Sequence, residues 1–231
     1  MTSARILSPE HFDAPSVSRR AVIGPNAVTR LSAALARAGL GAAARDIYTK
    51  AGAREWLDQA PSVMVDEIRV ARIHQGVREA LPPEQARAIL VEAGMATADY
   101  LLANRIPAPF KSFVAWTPRR LGLWLFLAAI RRHAWTFVGT GRFTASIGAP
   151  TILEIRGNPF CAGEHRAAPV CDWHAAVFER LFGELIRPSA RVQEVACEAR
   201  GDECCRFTLK WSPSGDNPAT KERWESKRRQ R

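Results

Sequence analysis

The chain contains 231 residues, of which 47% are hydrophobic and 24% charged, and it carries a formal net charge of +10. This composition predicts a globular chain with a substantial core and excludes disorder for most of the sequence, because disordered chains are poorer in apolar residues. The longest apolar run, residues 121–130, is bracketed by pairs of arginines and is about half the ~20 residues that a membrane span needs. It therefore indicates a buried or interfacial helix and excludes an integral membrane protein.

The distribution of charge argues against specific nucleic-acid recognition. Residues 221–231 hold six cations and two anions, so the C-terminal end carries four of the ten net positive charges. No helix-turn-helix, zinc finger or aromatic–basic repeat accompanies it. We expect residues 213–231 to be a flexible basic tail, with weak affinity for an anionic membrane, nucleic acid or an acidic partner as the alternative.

The N-terminal part is predicted to be helical after a flexible leader. Residues 1–20 contain no apolar stretch for a secretion signal, so we expect a leader without regular structure and a cytoplasmic protein. Apolar residues three to four apart, and prolines suited to helix starts, predict helices over residues 25–39, 41–50, 66–81, 83–104 and 117–133. In the third of these helices, one predicted apolar stripe contains Ile68, Ile73, Val77 and Leu81.

The pattern of apolar residues changes after His133, from a helical period toward alternation. Short runs such as residues 151–156 predict strands, and residues 172–186 predict one more helix. Two runs around Gly201 predict an antiparallel hairpin in which Val195 faces Phe207 and Cys197 faces Cys205, with this face inward. The sequence thus predicts an α+β fold: a single domain over residues 21–212, with N-terminal helices (21–134) packed with a C-terminal antiparallel sheet (135–212).

The five cysteines suggest a metal site, because structural disulfides are rare in cytosolic proteins and thiolates bind soft metals. Two cysteines that face each other across a hairpin, Cys197 and Cys205, bring two sulfurs close together. Cys171, near the start of the preceding helix, is the natural third ligand. Glu194 is a possible fourth, but strict alternation points it to the other face, so its ligation requires a bulge or a strand end at Val195. The alternative is that Cys197 and Cys205 are small buried apolar residues.

Three short segments carry a resemblance to a known family. Pro169-Val-Cys171, Glu194-Val-Ala-Cys197 and Cys205-Arg-Phe207 resemble the 4-vinyl reductase domain, which sensor domains of aromatic-responsive transcription regulators share. The resemblance implies a structural zinc ion held by Cys171, Glu194, Cys197 and Cys205, with no coordination position left open. Cys161 and Cys204 fall outside the pattern. The net negative charge of such a site would need Arg206 or backbone N–H groups to offset it.

Further segments resemble the bacteriochlorophyll-pathway members of this family, which are named bacteriochlorophyll 4-vinyl reductases. These segments are GPNAVTRL, EAGMATADYLLANRIP and AIRRHAWTFVGTGRF, and the resemblance covers residues 20–211. It implies the ligand-binding α+β fold of haem nitric-oxide sensors and vesicle-tethering subunits, with an apolar cavity between the helices and the sheet. No DNA-binding or ATPase module is attached.

A reduction requires a source of hydride or electrons, and the sequence offers no motif for one. The run from Gly39 to Ala44 imitates a dinucleotide fingerprint but follows a helix rather than a strand, and no flavin or iron–sulfur motif stands out. We therefore predict a binding protein that carries a magnesium tetrapyrrole of the divinyl protochlorophyllide or chlorophyllide stage for pathway enzymes. The alternatives are the vinyl reductase itself and a small-molecule sensor. Whether the protein is an enzyme stays open, and the predicted partners are other pathway enzymes, a possible second copy, and at most a peripheral membrane contact.

The predicted tetrapyrrole site lies around residues 116–143. Aromatic walls, a neutral histidine for magnesium and cations for the carboxylates are the groups that such a ligand needs. His133 is the predicted axial ligand, with His165 and His174 as the other candidates. The predicted walls are Trp124, Trp135 and Phe137, together with Phe126 and Phe143. Arg142, with Arg131 and Arg132, is predicted to meet the carboxylates. The alternative is that the aromatic residues are plain core and the cations are solvated.

Overall fold

The structure, a computed structural model, describes residues 21–211. The predicted leader and basic tail lie outside these residues. The helices are α1 Asn26–Arg37, α2 Gly41–Lys50, α3 Glu55–Asp58, α4 Glu67–Ala80, α5 Pro83–Asn104, α6 Ala108–Trp116, α7 Arg119–His133, α8 Trp135–Val138 and α9 Asp172–Leu185. The strands are β1 Val22–Ile23, β2 Val65–Asp66, β3 Arg142–Ser146, β4 Thr151–Arg156, β5 Ala190–Ala196 and β6 Cys205–Trp211. The predicted α+β class, with helices first and an antiparallel sheet after them, is confirmed.

Local signals account for most helix boundaries. The Asp66 carboxylate accepts a hydrogen bond of 2.9 Å from the Arg69 N–H and so caps α4, and Pro118 precedes the first residue of α7. Helix α6 was not predicted, although Pro107 precedes it in the same way. The stripe predicted for α4 is wrong at Ile68, which is 54% exposed, because the buried face of this helix is centred on Val70, Ile73 and Val77.

The main sheet has the strand order β3-β4-β6-β5, and all its neighbouring strands are antiparallel. Its buried face includes Leu153, Ile155, Phe207 and Leu209, none of which is exposed. Helix α9 packs on this face, where the ring of Phe178 meets that of Phe207 at 5.5 Å. A smaller sheet pairs β1 with β2. The sheet predicted to follow His133 begins only at Arg142, because residues 135–138 form the short helix α8.

Helix α9 lies against α5 as well as against the sheet. A Cβ atom on Gly94 of α5 would lie 2.5 Å from the carbonyl oxygen of Trp173, so glycine permits the close approach of the two helices. Buried residues from Ile23 to Leu209 form one continuous core that joins the helical part to the sheet. None of the helices within residues 21–211 combines the length and the apolarity needed to cross a bilayer.

The hairpin of β5 and β6 contains a β-bulge at Val195. Glu194, rather than Val195, pairs with Phe207, and the next pair is Ala196 with Arg206. The predicted register of Val195 opposite Phe207 is therefore wrong, and Val195 is 39% exposed instead of inward. The extra residue shifts the alternation of side chains by one position. The bulge is thus the feature that the sequence required for Glu194 to turn toward the cysteines.

Candidate metal centre

Four cysteine side chains meet in the interior of the C-terminal half. Cys161, Cys171, Cys197 and Cys205 are each at most 4% exposed. Their sulfur atoms all lie within 4.8 Å of one another. The six Sγ–Sγ distances run from 3.4 Å, between Cys161 and Cys171, to 4.0 Å, between Cys197 and Cys205.

These distances fit a tetrahedral metal site. Four sulfurs bound to zinc at about 2.3 Å form a tetrahedron whose edges measure about 3.8 Å. The observed separations surround that value, and all four sulfurs are within reach of one central ion. A tetrahedral set of four thiolates is typical of zinc or iron. The donor set therefore fits the zinc ion that the sequence resemblance implies, with four sulfurs rather than three sulfurs and a carboxylate.

Each cysteine comes from a different part of the fold. Cys161 ends a short 3₁₀ turn, Pro159–Cys161, that follows β4. Cys171 is the residue before α9. Cys197 follows β5, and Cys205 is the first residue of β6. A metal bound here would connect the β4 loop, the start of α9 and the hairpin in a single centre.

Polar groups around the cluster hold the sulfurs in place. The Asn158 side-chain amide donates to the sulfurs of Cys171 and Cys205, at 3.3 and 3.4 Å. The carboxylate of Glu198 accepts from the N–H groups of Gly157 and Asn158, at 2.6 and 2.7 Å, and so holds the β4 loop. The Asp202 carboxylate accepts from the Cys197 N–H at 2.8 Å. Such outer-shell hydrogen bonds orient metal ligands and tune their basicity.

Glu194 lies beside the cluster rather than in the group of four thiols. Its Oε2 accepts a hydrogen bond of 2.7 Å from the Cys171 N–H, and its buried Oε1 has no hydrogen-bond partner among the described residues. Burial, with the charge of the Cys197 thiolate, raises the pKa of Glu194 to about 9. The structure thus brings together three of the four predicted ligands, Cys171, Cys197 and Cys205, and adds Cys161, which sequence reasoning left out. No spacing signal pointed to Cys161, because its position depends on the turn at residues 158–161.

The ionisation of the thiols shows why a cation belongs among them. Hydrogen bonds with neighbouring thiols, that of Cys161 first, raise the pKa of Cys171 well above its usual value. Hydrogen bonds with Cys161 and then with Cys171 lower the pKa of Cys197 and that of Cys205. Without a metal the cluster thus concentrates its negative charge on some sulfurs, because like charges this close disfavour one another. A divalent ion would permit all four to be thiolates.

A buried ion pair supplies positive charge next to the cluster. The Arg78 guanidinium donates to the Phe160 carbonyl at 2.8 Å and to Glu164 at 2.5 and 3.0 Å. Glu164 also accepts from Arg166 at 2.8 Å, so this group holds two cations and one anion. Arg206, which was expected to offset the charge of the site, instead pairs with Glu154 at 2.7 Å on the polar face of the sheet. That expectation is wrong because Arg206 and Cys205 are neighbours in β6 and so lie on opposite faces.

The predicted tetrapyrrole residues fall into separate environments. His133, Trp124, Trp135 and Arg142 are exposed. Phe137 is half-buried and packs against Phe143, Phe178 and His174, with ring centroids 5.6 to 6.3 Å apart. Phe126 and Phe143 belong to the buried core.

Helix geometry separates Trp124 from His133. Both residues lie on α7, nine positions apart, which is two and a half turns at 3.6 residues per turn. Their side chains therefore leave opposite sides of the helix. His133, at the C-terminal end of α7, lies beside α8 and is within reach of Trp135 and the start of β3, whereas Trp124 belongs to the outward side of α7.

The other two candidate histidines differ from each other. His165 is exposed in the loop between Cys161 and α9. His174 is buried, and burial lowers its pKa to about 4, so the ring is neutral at physiological pH. It lies among the aromatic rings of Phe160, Trp173 and Phe178, which leaves no space for a macrocycle.

A groove of about 610 Å³ runs along α9 between α5 and β5. Its apolar lining includes Val91, Met95, Ala176 and Gly183. Its arginines are paired: Arg87 with Asp172 at 3.3 Å, Arg180 with Asp99 at 2.7 Å, and Arg191 with Glu179 at 3.9 Å. None of the predicted tetrapyrrole residues lines this groove.

Comparison with known proteins identifies the class first. The family model of the 4-vinyl reductase domain matches residues 151–211, which hold β4, β5, β6 and all four clustered cysteines. The chain is 43% identical to the bacteriochlorophyll synthase 23 kDa chain of Cereibacter sphaeroides, over 84% of this chain and 92% of the relative. It is 41% identical to the Rhodobacter capsulatus protein of the same name, over 85% and 90%. The chain belongs to the family of the bacteriochlorophyll synthase 23 kDa chain, and the family predicted from sequence is confirmed.

Two solved structures are similar at low identity. One is the phenol-responsive sensory domain of the transcription activator PoxR with phenol, which is 15% identical, with a TM-score of 0.49 over 74% of this chain and 93% of the other. The second is a vinyl-4-reductase family protein from Methanocaldococcus jannaschii, 13% identical, with a TM-score of 0.33 over 63% of this chain and 92% of the other.

Proposed function

We propose that this protein acts in bacteriochlorophyll biosynthesis as a cytoplasmic binding protein for a magnesium tetrapyrrole of the divinyl protochlorophyllide or chlorophyllide stage. The observation that carries the proposal is the 43% identity to a bacteriochlorophyll synthase chain, which extends over 84% of the sequence. A chain of a synthase works beside other chains, so the protein would present its ligand to other enzymes of the pathway. Kinship over nearly the whole relative supports a shared role more strongly than a match to one domain.

The proposed site is the surface formed by the end of α7, by α8 and by the start of β3. His133 would ligate magnesium through a neutral imidazole, which is a common metal ligand. Trp135 and the half-buried Phe137 would contact the ring from α8. Arg142, exposed at the start of β3, would pair with a carboxylate of the ligand by charge-assisted hydrogen bonds. Trp124, on the outward side of α7, is left out of this site.

The groove along α9 is the alternative position for the ligand. Its volume of about 610 Å³ lies within the ~300–1,000 Å³ of small-molecule sites. Its arginines already pair with carboxylates, so an anionic ligand would have to compete for them, and the groove offers no histidine for magnesium. These two features favour the His133 surface.

The cysteine cluster serves a structural role in this proposal. Zinc bound by Cys161, Cys171, Cys197 and Cys205 would contribute directly to the stability of the fold, because four protein ligands leave no open coordination position. The cluster, the Asn158 amide and the Glu198 carboxylate would then hold the β4 loop and the start of α9 in place. The ligand-binding surface at α8 lies outside this centre.

Spectral titration tests the proposal. Purified protein is titrated with the magnesium form and the metal-free form of divinyl protochlorophyllide, and the Soret band is followed. We expect saturable binding at one ligand per chain. Replacement H133A should weaken binding of the magnesium form only, because the metal-free form needs no axial donor. H165A, which removes another exposed histidine, is the matched control and should change neither affinity.

Two further arms decide between the alternatives. G183L would fill the groove, since a Cβ there meets no atom within 4 Å, and a loss of binding in G183L but not in H133A would move the ligand to the groove. Adding reduced nicotinamide or reduced ferredoxin tests the vinyl reductase: turnover without a second protein would replace the carrier role. An unchanged spectrum at micromolar protein would refute tetrapyrrole binding altogether.

A further inference from the structure

Large apolar side chains are exposed mainly in one part of the described chain. Six of the ten exposed large hydrophobic residues lie between positions 113 and 147, although this stretch is less than a fifth of the described residues. Four of them, Phe113 and Trp116 of α6 and Leu121 and Trp124 of α7, define what we call the outer face. Trp116 is 75% exposed and Trp124 is 55% exposed. Exposed apolar side chains grouped in this way mark an interaction surface.

Helix α7 is apolar on both of its sides. Its inner side buries Leu123, Phe126 and Leu127. Its outer side carries Leu121, Trp124 and Ala128, which recur at intervals of three and four residues and so share one stripe. A helix on the surface of a soluble domain ordinarily has polar residues on this side. The outer stripe of α7 therefore reflects a need other than packing within the domain.

The same part of the chain is entirely basic in its charged residues. Residues 100–153 contain no aspartate or glutamate, but they contain seven cations. The seven cations are Arg105, Lys111, Arg119, Arg120, Arg131, Arg132 and Arg142. None of the ion pairs found within residues 21–211 involves any of them. In the α9 groove each arginine has a carboxylate partner, so the contrast points to an external anion for this charge.

We propose that the outer face docks on the surface of an anionic lipid bilayer. Tryptophan and leucine side chains insert at the boundary between headgroups and acyl chains, and arginines beside them pair with lipid phosphates. On α7 the positions of Arg120, Arg131 and Arg132 flank the stripe of Leu121 and Trp124 on both sides. A bilayer presents uniform negative charge, which matches a stretch with no acidic residue better than the mixed charges of a protein surface.

The docking proposal does not depend on tetrapyrrole binding. The residues of the outer face lie on α6 and on the outward side of α7, whereas the proposed pigment site is at the end of α7, α8 and β3. A pigment titration and a vesicle titration therefore fail separately. If both succeed, the protein would exchange its ligand while it lies against the membrane.

Vesicle binding by the full chain tests the proposal. The probes are vesicles of phosphatidylcholine alone and vesicles of equal parts phosphatidylcholine and phosphatidylglycerol, with co-sedimentation and quenching of tryptophan fluorescence by brominated lipid as readouts. We expect the wild type to bind the anionic vesicles, with affinity that falls as salt rises. R120Q/R132Q should bind them about twenty- to thirtyfold more weakly, since each arginine near the surface contributes about fivefold. W116S/W124S should bind at least about tenfold more weakly and lose most of the quenching.

Matched controls separate the outer face from charge in general. R45Q/R72Q removes two exposed arginines from α2 and α4, and I68S removes an exposed apolar residue from α4. Both should bind as the wild type does, because the basic residues 221–231 are unchanged in every variant. Equal losses in the outer-face and control variants would overturn the proposal. So would a wild type that leaves anionic vesicles unbound at low salt, a result that would instead favour an acidic protein as the partner.

Discussion

Replacement of Cys161 by serine is the most informative single change, because the sequence excludes this residue from the metal site and the structure includes it. The Cys161 sulfur lies 3.4, 3.7 and 3.6 Å from those of Cys171, Cys197 and Cys205. Structural zinc binds with about 10–16 kcal/mol, so one of four equivalent thiolates accounts for about 3 kcal/mol. We therefore expect C161S to bind zinc on the order of a hundredfold more weakly.

The assay is competition with a chromophoric chelator, followed by elemental analysis of untagged protein. C204S is the matched control, because Cys204 is also buried, at 1% exposed, but lies outside the four-thiol cluster. It should retain metal as the wild type does. The same analysis distinguishes zinc from iron, and iron would strengthen the case for a reductase.

Two outcomes would refute this reasoning. Unchanged metal affinity in C161S, together with a large loss in E194Q, would restore the ligand set of three cysteines and Glu194. Well under one metal per chain, with the four thiols freely reactive in the native protein, would leave the cluster as ordinary core. If Glu194 is only a hydrogen-bond acceptor for the Cys171 N–H, E194Q should change metal affinity much less than C161S does.

Further predictions concern the surroundings of the cluster and the core. N158A should weaken metal binding by about ten- to a hundredfold in the chelator assay, because it removes the donor to two sulfurs. R78M should lower the free energy of unfolding in urea by about 3–5 kcal/mol, because it leaves Glu164 buried without its main partner, whereas R37Q, at an exposed pair, should change it by at most about 1 kcal/mol. G94A should cost about 1–3 kcal/mol by the same measurement, because its Cβ would overlap the Trp173 carbonyl. Burial lowers the pKa of His74 to about 3, so the unfolded state binds the extra proton. Stability should therefore fall by about 1.4 kcal/mol per pH unit below pH ~6.5 from this residue, and H74L should reduce that slope by about one proton.

The sequence alone determined the features that depend on neighbouring residues. Apolar spacing and prolines placed five long helices and α9 within a few residues of their observed positions, because a helix is set by contacts three and four residues apart. Alternation around Gly201 located the β5–β6 hairpin. Three of the four clustered cysteines followed from the resemblance that their segments carry, since their spacing is tied to the hairpin and to the start of α9.

Only the tertiary structure decided where those elements leave their side chains. Cys161 joins the cluster because Glu198, about forty residues away in sequence, holds the turn at residues 157–158 by two hydrogen bonds. The bulge at Val195 shifts Glu194 toward the start of α9 by one residue of register, which alternation does not reveal.

The exposure of Trp124 was likewise invisible in the sequence. Trp124 and Phe126 lie two residues apart on an equally apolar helix, yet Phe126 is buried against Phe182 of α9 and Trp124 has no such cover. Periodicity shows that a helix is apolar on both sides, but burial depends on which side the rest of the chain packs against. That choice is made by contacts between residues far apart in sequence, and these contacts form only when the chain folds.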